Sequence, residues 1–419
     1  MIKVRVLVVD DNRRIVNLLK NALEKEEEVE VVGTASDGEE ALQMIHLKRP
    51  DVVLLDLIMP KIDGLGVMER MQRPDFPVHP QVIVVSAVSQ ESVTEHAFAL
   101  GAAYYILKPF DTRVIIARVK SVGMTGEKGD KVVIVSPSSK IDKQFLKGAK
   151  KRIESWGVKV VMGKHAGGSS GRYAGTISQR LKDLQDAMDD PKVKAILSSR
   201  GGYGAVHLID KIDFTAFREY PKWLLGFSDI TALHNLFQKN GYASLHSLMA
   251  RHLAVEPEDD PCTNYLKDIL FGNLPSYTCE KHKLNKQGST QGVLRGGNMA
   301  VAYGLRGTPY DIPAEGTVLF IEDVSERPHA IERMMYNLKL GGVLEKLSGL
   351  IVGQFTEYEE DCSLGKELYA ALADLVKEYD YPVCFNFPVG HVTHNLPLIN
   401  GAKVEFTVGK KNVELKFIC

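Results

Sequence analysis

Five times in its first 122 residues this chain repeats one pattern: a short β-branched apolar run, a turn, then an amphipathic stretch. The runs are VRVLVV, VEVVG, DVVLLD, QVIVVS and AYYILK. Strands without polar alternation are buried on both faces, so alternation with helices predicts a parallel sheet covered on each side. The rhythm pauses at residues 123–130, GMTGEKGD, a Gly-rich polar stretch that reads as a linker. It restarts with KVVIVSPSS, VKVVM, VKAILSSRGGYG and KWLLGF, separated by helical stretches. From about residue 290 strands and glycines prevail, ending in KVEFTVGKKNVELKFI, a hairpin turned at Gly409. The expected fold is α/β throughout. A five-stranded doubly wound domain occupies 1–122, then an α/β part 131–290 and a β-rich part 291–419. A length of 419 residues also exceeds what one hydrophobic core holds.

Composition removes several function classes. The formal net charge is -1, so no overall field draws the molecule to nucleic acid or an anionic membrane. The basic clusters Lys147–Arg152 and Lys281–Lys286 read as solvated faces, and the C-terminal half offers no compact basic helix-turn-helix unit. Cys262, Cys279, Cys362, Cys384 and Cys419 are odd in number and lack CxxC spacing. That argues against a disulfide framework or zinc site and fits a reducing compartment. The first apolar run stops at Asp10, too short for a signal-peptide core, and no stretch is long enough to span a bilayer. A cytoplasmic location is expected.

In a parallel α/β sheet, chemistry gathers at the carboxyl ends of the strands. Asp10 and Asp11 end the first run and Asp56 the third; Ser86 and Lys108 end the fourth and fifth. Three converging carboxylates repel unless a divalent cation lies between them, and all-oxygen ligands suit magnesium. With a hydroxyl and an ammonium alongside, the pocket can take a phosphoryl group onto a carboxylate. Through VVDDN, DVVLLDLIMPKIDGL and GAAYYILKPFD the segment resembles response-regulator receivers, nearest to those of sporulation regulators. The resemblance implies Asp56 as phosphoacceptor, with Asp10, Asp11, Asp56 and the Ile58 carbonyl as Mg2+ ligands. It implies Ser86 and Lys108 as phosphoryl-binding groups, Tyr105 as switch residue, and a histidine kinase or phosphotransfer protein as partner. Family members often carry a cis bond before the proline that is Pro109 here.

In LLGFSDITALH, Ser228 stands between an apolar strand and a helix. A serine on such a turn is lifted out of the sheet, with the next N–H facing its oxyanion; an N-cap is the plainer reading. VLFIEDV ends a strand at Glu322 and Asp323, and FPVGHVTHNLPL puts His391 after a strand and a glycine. A serine nucleophile needs such a base, and the base a carboxylate; a salt bridge and a loop histidine are the alternatives. RGGYG, GFSD, RGGNMAVAYGLRGTPY, IEDV and GHVTHNLPL together resemble LD-carboxypeptidases over 131–419. The resemblance implies Ser228 as nucleophile, Glu322 as orienting acid and His391 as base, with Asp229 and Gly202 N–H groups as the oxyanion hole. It also implies a homodimer without a cofactor that removes D-alanine from murein tetrapeptide, a muropeptide. Arg200, Arg295 or backbone N–H groups could hold the substrate carboxylate. One departure is LHSLM at 245–249, where many members read HGPM; the change falls in a region expected to shape the substrate pocket.

Two other readings compete. Peptidases of the same fold that destroy peptidyl-nucleotide antibiotics need an aromatic platform, and no segment offers a clear one. A signalling protein with a degenerate peptidase-like effector would not need Ser228, Glu322 and His391 intact. Met124 begins MTGEKGDKVVIVSPSS, which reads as a start for a free-standing peptidase.

Overall fold

The computed structural model describes residues 3–26, 29–73, 76–78, 80–88, 90–110, 112, 115–116, 119, 130–361 and 365–418. Most of the linker, Met124, Cys362 and Cys419 lie outside them. Contacts divide the chain into two compact units, Met1–Thr125 and Gly126–Ile418. Among the described residues no helix is long and apolar enough to cross a membrane.

In the first unit the five apolar runs form β1 (Val4–Val9), β2 (Val29–Ala35), β3 (Val52–Leu55), β4 (Gln81–Ser86) and β5 (Ala102–Leu107). All pair in parallel, in the order β2-β1-β3-β4-β5. Side chains of β1 alternate between two cores: Leu7 and Val9 enter one, Val6 and Val8 the other. That double burial is why the runs show no polar alternation.

The second unit contains β6 (Lys131–Val135), β7 (Lys159–Met162), β8 (Val193–Ser198), β9 (Trp223–Gly226), β10 (Ser244–His246), β11 (Ser276–Glu280), β12 (Gly288–Asn298), β13 (Thr317–Val324), β14 (Leu347–Thr356), β15 (Val383–Gly390), β16 (Leu398–Asn400), β17 (Lys403–Val408) and β18 (Asn412–Ile418). Six form the sheet β16-β10-β9-β8-β6-β7 and seven the sheet β11-β18-β17-β12-β13-β14-β15. Two strands cross between the halves read from sequence. β11 joins the second sheet through β18, and β16 returns to pair with β10 in the first. The expected terminal hairpin is β17–β18. The β-rich part also holds helices Met299–Gly304, Pro328–Leu340 and Leu368–Val376, because its central strands β12 to β15 are parallel and need crossovers. One buried cluster runs from Ile134, Leu197 and Leu225 of the first sheet to Phe320, Ile351 and Phe406 of the second.

Candidate functional site

In the first unit, ligand oxygens of Asp10, Asp11 and Asp56 lie within 4.8 Å of one another. Lys108 Nζ donates to Asp10 Oδ2 at 2.7 Å and Asp56 Oδ2 at 2.5 Å, so the ammonium holds two of the three carboxylates. Burial raises Asp10 above the ordinary carboxylate range against the pull of Lys108. An all-carboxylate donor set beside a single ammonium fits a hard divalent cation. Ser86 is buried at the end of β4, and Tyr105 Oη donates to the Val88 carbonyl at 2.8 Å. The Lys108–Pro109 bond is cis.

In the second unit, the first sheet runs outward in both directions from β6 and β8, which leaves a crevice at their carboxyl ends. Ser228 follows β9 with φ +63, in the left-handed region that L residues enter at a cost of about 1–3 kcal/mol. The neighbouring Asp229 side chain fixes the turn: its Oδ2 accepts from Ser138 Oγ at 2.6 Å and from the Ala205 N–H at 2.8 Å. The loop after β8 closes on the serine. A Cβ on Gly201 would lie 2.7 Å from Ser228 Cβ, 2.9 Å from Oγ and 3.3 Å from the Asp229 nitrogen. Gly201 thus keeps open the space in front of the hydroxyl. In the sequence its signal is only the first glycine of RGGYG, which does not say which glycine meets the serine. Gly202, φ +99, packs against Ser139 instead.

The opposing wall comes from the second sheet. Glu322 is fully buried in β13, and its Oε2 lies 2.8 Å from Nδ1 of His391, which follows β15. Burial works against the imidazolium, but the Glu322 hydrogen bond and charge, with Asp323 and Glu357, outweigh it and hold His391 above its ordinary pKa of 6.5. The His391 ring lies 4.9 Å from that of Phe227, the residue before Ser228. The described residues show no hydrogen bond from Ser228 Oγ to His391; in such sites this bond commonly tightens once substrate is bound. His394 is exposed and turns to Cys262 Sγ at 3.5 Å.

One buried hydrogen bond ties the walls together, and a second within the second sheet braces it. The Asn298 N–H donates to Thr231 Oγ1 at 3.0 Å, and Asn298 Nδ2 to Asp323 Oδ1 at 2.8 Å. Burial beside Glu322 pushes Asp323 up to about 6. Arg295 is not part of the site: its Nη1 donates to Thr317 Oγ1, at the opposite end of β13 from Glu322. Strand alternation and register decided this, and neither is visible from RGG alone. Arg200 is exposed beside Gly201, with Nη1 on the Lys140 carbonyl at 3.2 Å. Leu245, His246, Ser247 and Leu248 are all fully buried, so the departure from HGPM changes the packed floor, not an open pocket wall. His246 lies between the rings of Phe227 and Phe320, where burial drives its pKa well down. An aromatic surface does exist. Tyr203, 43% exposed, packs with Tyr173 and His207, with the Arg172 guanidinium 5.6 Å from its ring centre.

Comparisons with known proteins cover both units. The response regulator receiver domain matches residues 6–120. The LD-carboxypeptidase N-terminal and C-terminal domains match 132–247 and 291–406. A Bacillus subtilis protein named "Probable murein peptide carboxypeptidase" is 32% identical over 296 residues, 69% of this chain and 92% of its own. The crystal structure of muramoyltetrapeptide carboxypeptidase from Oxalobacter formigenes shares the fold with TM-score 0.63 and 24% identity, covering 68% of this chain and 98% of that one. The structure of MccF in complex with glutamyl sulfamoyl guanosine shares it with TM-score 0.61 and 22% identity, covering 70% and 97%.

Proposed function

This chain belongs to the LD-carboxypeptidase family and carries a response-regulator receiver domain ahead of the peptidase, and from that premise we propose that it is a serine peptidase removing the terminal D-alanine of murein tetrapeptide. The observation that carries the reading is the left-handed Ser228 facing a wall on which buried Glu322 holds His391 Nδ1 at 2.8 Å. With Nδ1–H engaged, Nε2 is the free base. His391 takes the Ser228 proton as Oγ attacks the carbonyl of the diamino acid. The Asp229 and Gly202 N–H groups receive the oxyanion. The protonated His391 then delivers its proton to the leaving D-alanine nitrogen, forming the acyl-enzyme. Water, deprotonated by His391 Nε2, then attacks the acyl carbon, and the proton returns to Ser228 Oγ as the ester bond breaks and the tripeptide leaves. Arg200 is the candidate for the substrate carboxylate.

In the receiver, Asp56 accepts the phosphoryl group from a kinase or phosphotransfer protein, while Ser86 and Lys108 bind its oxygens and Tyr105 responds. Asp10, Asp11, Asp56 and the Ile58 carbonyl would hold Mg2+, whose charge offsets the carboxylates and the incoming oxygens.

One observation favours a second reading. The surface that Tyr203 of the RGGYG loop forms with Tyr173 and His207 could stack a nucleobase, as an enzyme destroying peptidyl-nucleotide antibiotics requires. Incubation with murein tetrapeptide and, separately, with an aminoacyl sulfamoyl nucleoside decides between them by mass spectrometry. Loss of alanine from the first supports the leading reading; cleavage of the second alone replaces it.

A further inference from the structure

β13, β14 and β15 lie side by side. The first carries Glu322, the last leads into His391, and β14 between them ends at Thr356. Val324 pairs with Thr356 and Gln354 with Gly390, so Glu357 emerges between the two catalytic candidates, just beyond the level of His391. Both strand ends then enter the left-handed region without glycine: Ser325 has φ +61 and Glu357 φ +55. The Ser325 N–H donates to the Thr356 carbonyl at 2.9 Å, and its Oγ to Glu357 Oε2 at 2.8 Å. Two adjacent residues held off their preferred backbone, one pinning the other, are arrangements that persist where function needs them. The Glu357 side chain is otherwise exposed, and among the described residues no lysine or arginine pairs with it. Next to Gly201 in the chain stands Arg200, an exposed cation whose Nη1 donates to the Lys140 carbonyl at 3.2 Å.

The wall of the base is therefore anionic at its outer edge, and the loop that meets the nucleophile carries a cation, Arg200, next to Gly201. Resting on the carboxypeptidase reading, we propose that Glu357 is a specificity-determining residue whose carboxylate binds the free side-chain ammonium of the diamino acid that Ser228 acylates. The substrate fits this polarity, with a carboxylate on the leaving side of the scissile bond and an ammonium on the acyl side. The pairing also answers a difficulty. An unpaired anion here raises the proton affinity of His391, which opposes its work as a base. A substrate ammonium offsets that one contribution on binding, while the larger pull of Glu322 on His391 stays.

The test uses the full chain and three murein tetrapeptides: side-chain amine free, acetylated and succinylated, compared at a pH above the His391 titration. The wild type prefers the free amine to the acetylated form by about tenfold in kcat/KM, mostly through KM, the scale of one charge-assisted hydrogen bond. In Glu357→Gln the ratio falls close to one, and Glu357→Lys turns the preference towards the succinylated peptide. Glu357→Gly, which relieves the left-handed backbone, keeps or raises Tm while losing the preference. Equal turnover of free and acetylated peptides by the wild type, or a preference that survives in Glu357→Gln, overturns the assignment while leaving the peptidase reading intact. Turnover of none of the three overturns the peptidase reading, and this inference with it.

Discussion

Both units set carboxylates at the carboxyl edge of parallel strands and use them in opposite ways. In the first, Asp10, Asp11 and Asp56 crowd together around Lys108, an arrangement whose excess negative charge suits a cation and a phosphoryl group. In the second, Glu322 stands fully buried with His391 Nδ1 at 2.8 Å, and its hydrogen bond and charge hold the His391 pKa up. The first site lies within one sheet, at the ends of strands that pair directly. The second straddles two sheets, with Ser228 on one and Glu322 and His391 on the other. A site within one sheet tolerates movement between sheets; a site between sheets depends on their packing, here the Thr231–Asn298–Asp323 links.

The comparison is broken most sharply by removing each reactive atom in turn. Ser228→Ala should lower tetrapeptide turnover roughly a million-fold, as for a related triad, and leave phosphodonor labelling intact. Asp56→Asn should abolish acid-labile labelling and leave turnover intact. Loss of both activities in either folded variant would show one joint site instead of two.

A smaller but still large effect separates the histidines. His391→Ala should abolish measurable turnover. His394→Ala, which loses only the Cys262 contact, should cost far less; the reverse ranking in folded proteins would move the base. Gly201→Ala tests whether the two walls must meet as closely as described. Its Cβ, 2.7 Å from that of Ser228, should displace the nucleophile and lower kcat by about 100-fold with Tm little changed.

Next comes pH. Because the folded-state pKa of His391 lies above 6.5, kcat/KM should rise with pH through a midpoint above that value. Glu322→Gln should shift the midpoint downward as well as reduce the plateau. The same pair stabilises the fold fully below pH 6.5, and its contribution fades as pH rises through the His391 midpoint. An unshifted midpoint in Glu322→Gln would sever the pair from catalysis.

The smallest expected effect concerns the join. A receiver acts through a surface that discriminates its two states, and a short polar Gly-containing join transmits little torque. Phosphorylation of Asp56 should change tetrapeptide turnover less than twofold, about 0.4 kcal/mol, and residues 124–419 alone should be active. A tenfold change would make the halves one regulated machine.

The amino-acid sequence by itself marked the receiver, because four of its five strand ends carry the acidic, hydroxyl and ammonium groups in chain order and the apolar runs mark each strand to within a residue or two. It also placed GFSD, IEDV and GHVTH at strand ends, where the structure has them. Tertiary structure decided how they meet. β11 and β16 exchange sheets through long-range pairing that no local pattern encodes. The ladder shifts register between Ile321 and Asp323, beside Glu322, and again between Val352 and Gln354, facing the end of β15. Such bulges re-aim side chains, and they arise from cross-strand packing rather than from the residues that carry them. The same packing set Gly201 against the serine, turned Arg295 to Thr317 at the far end of β13 from Glu322, and buried LHSLM. Strand identity is local and follows from burial period; side-chain convergence depends on register between distant strands, which only the folded sheets determine.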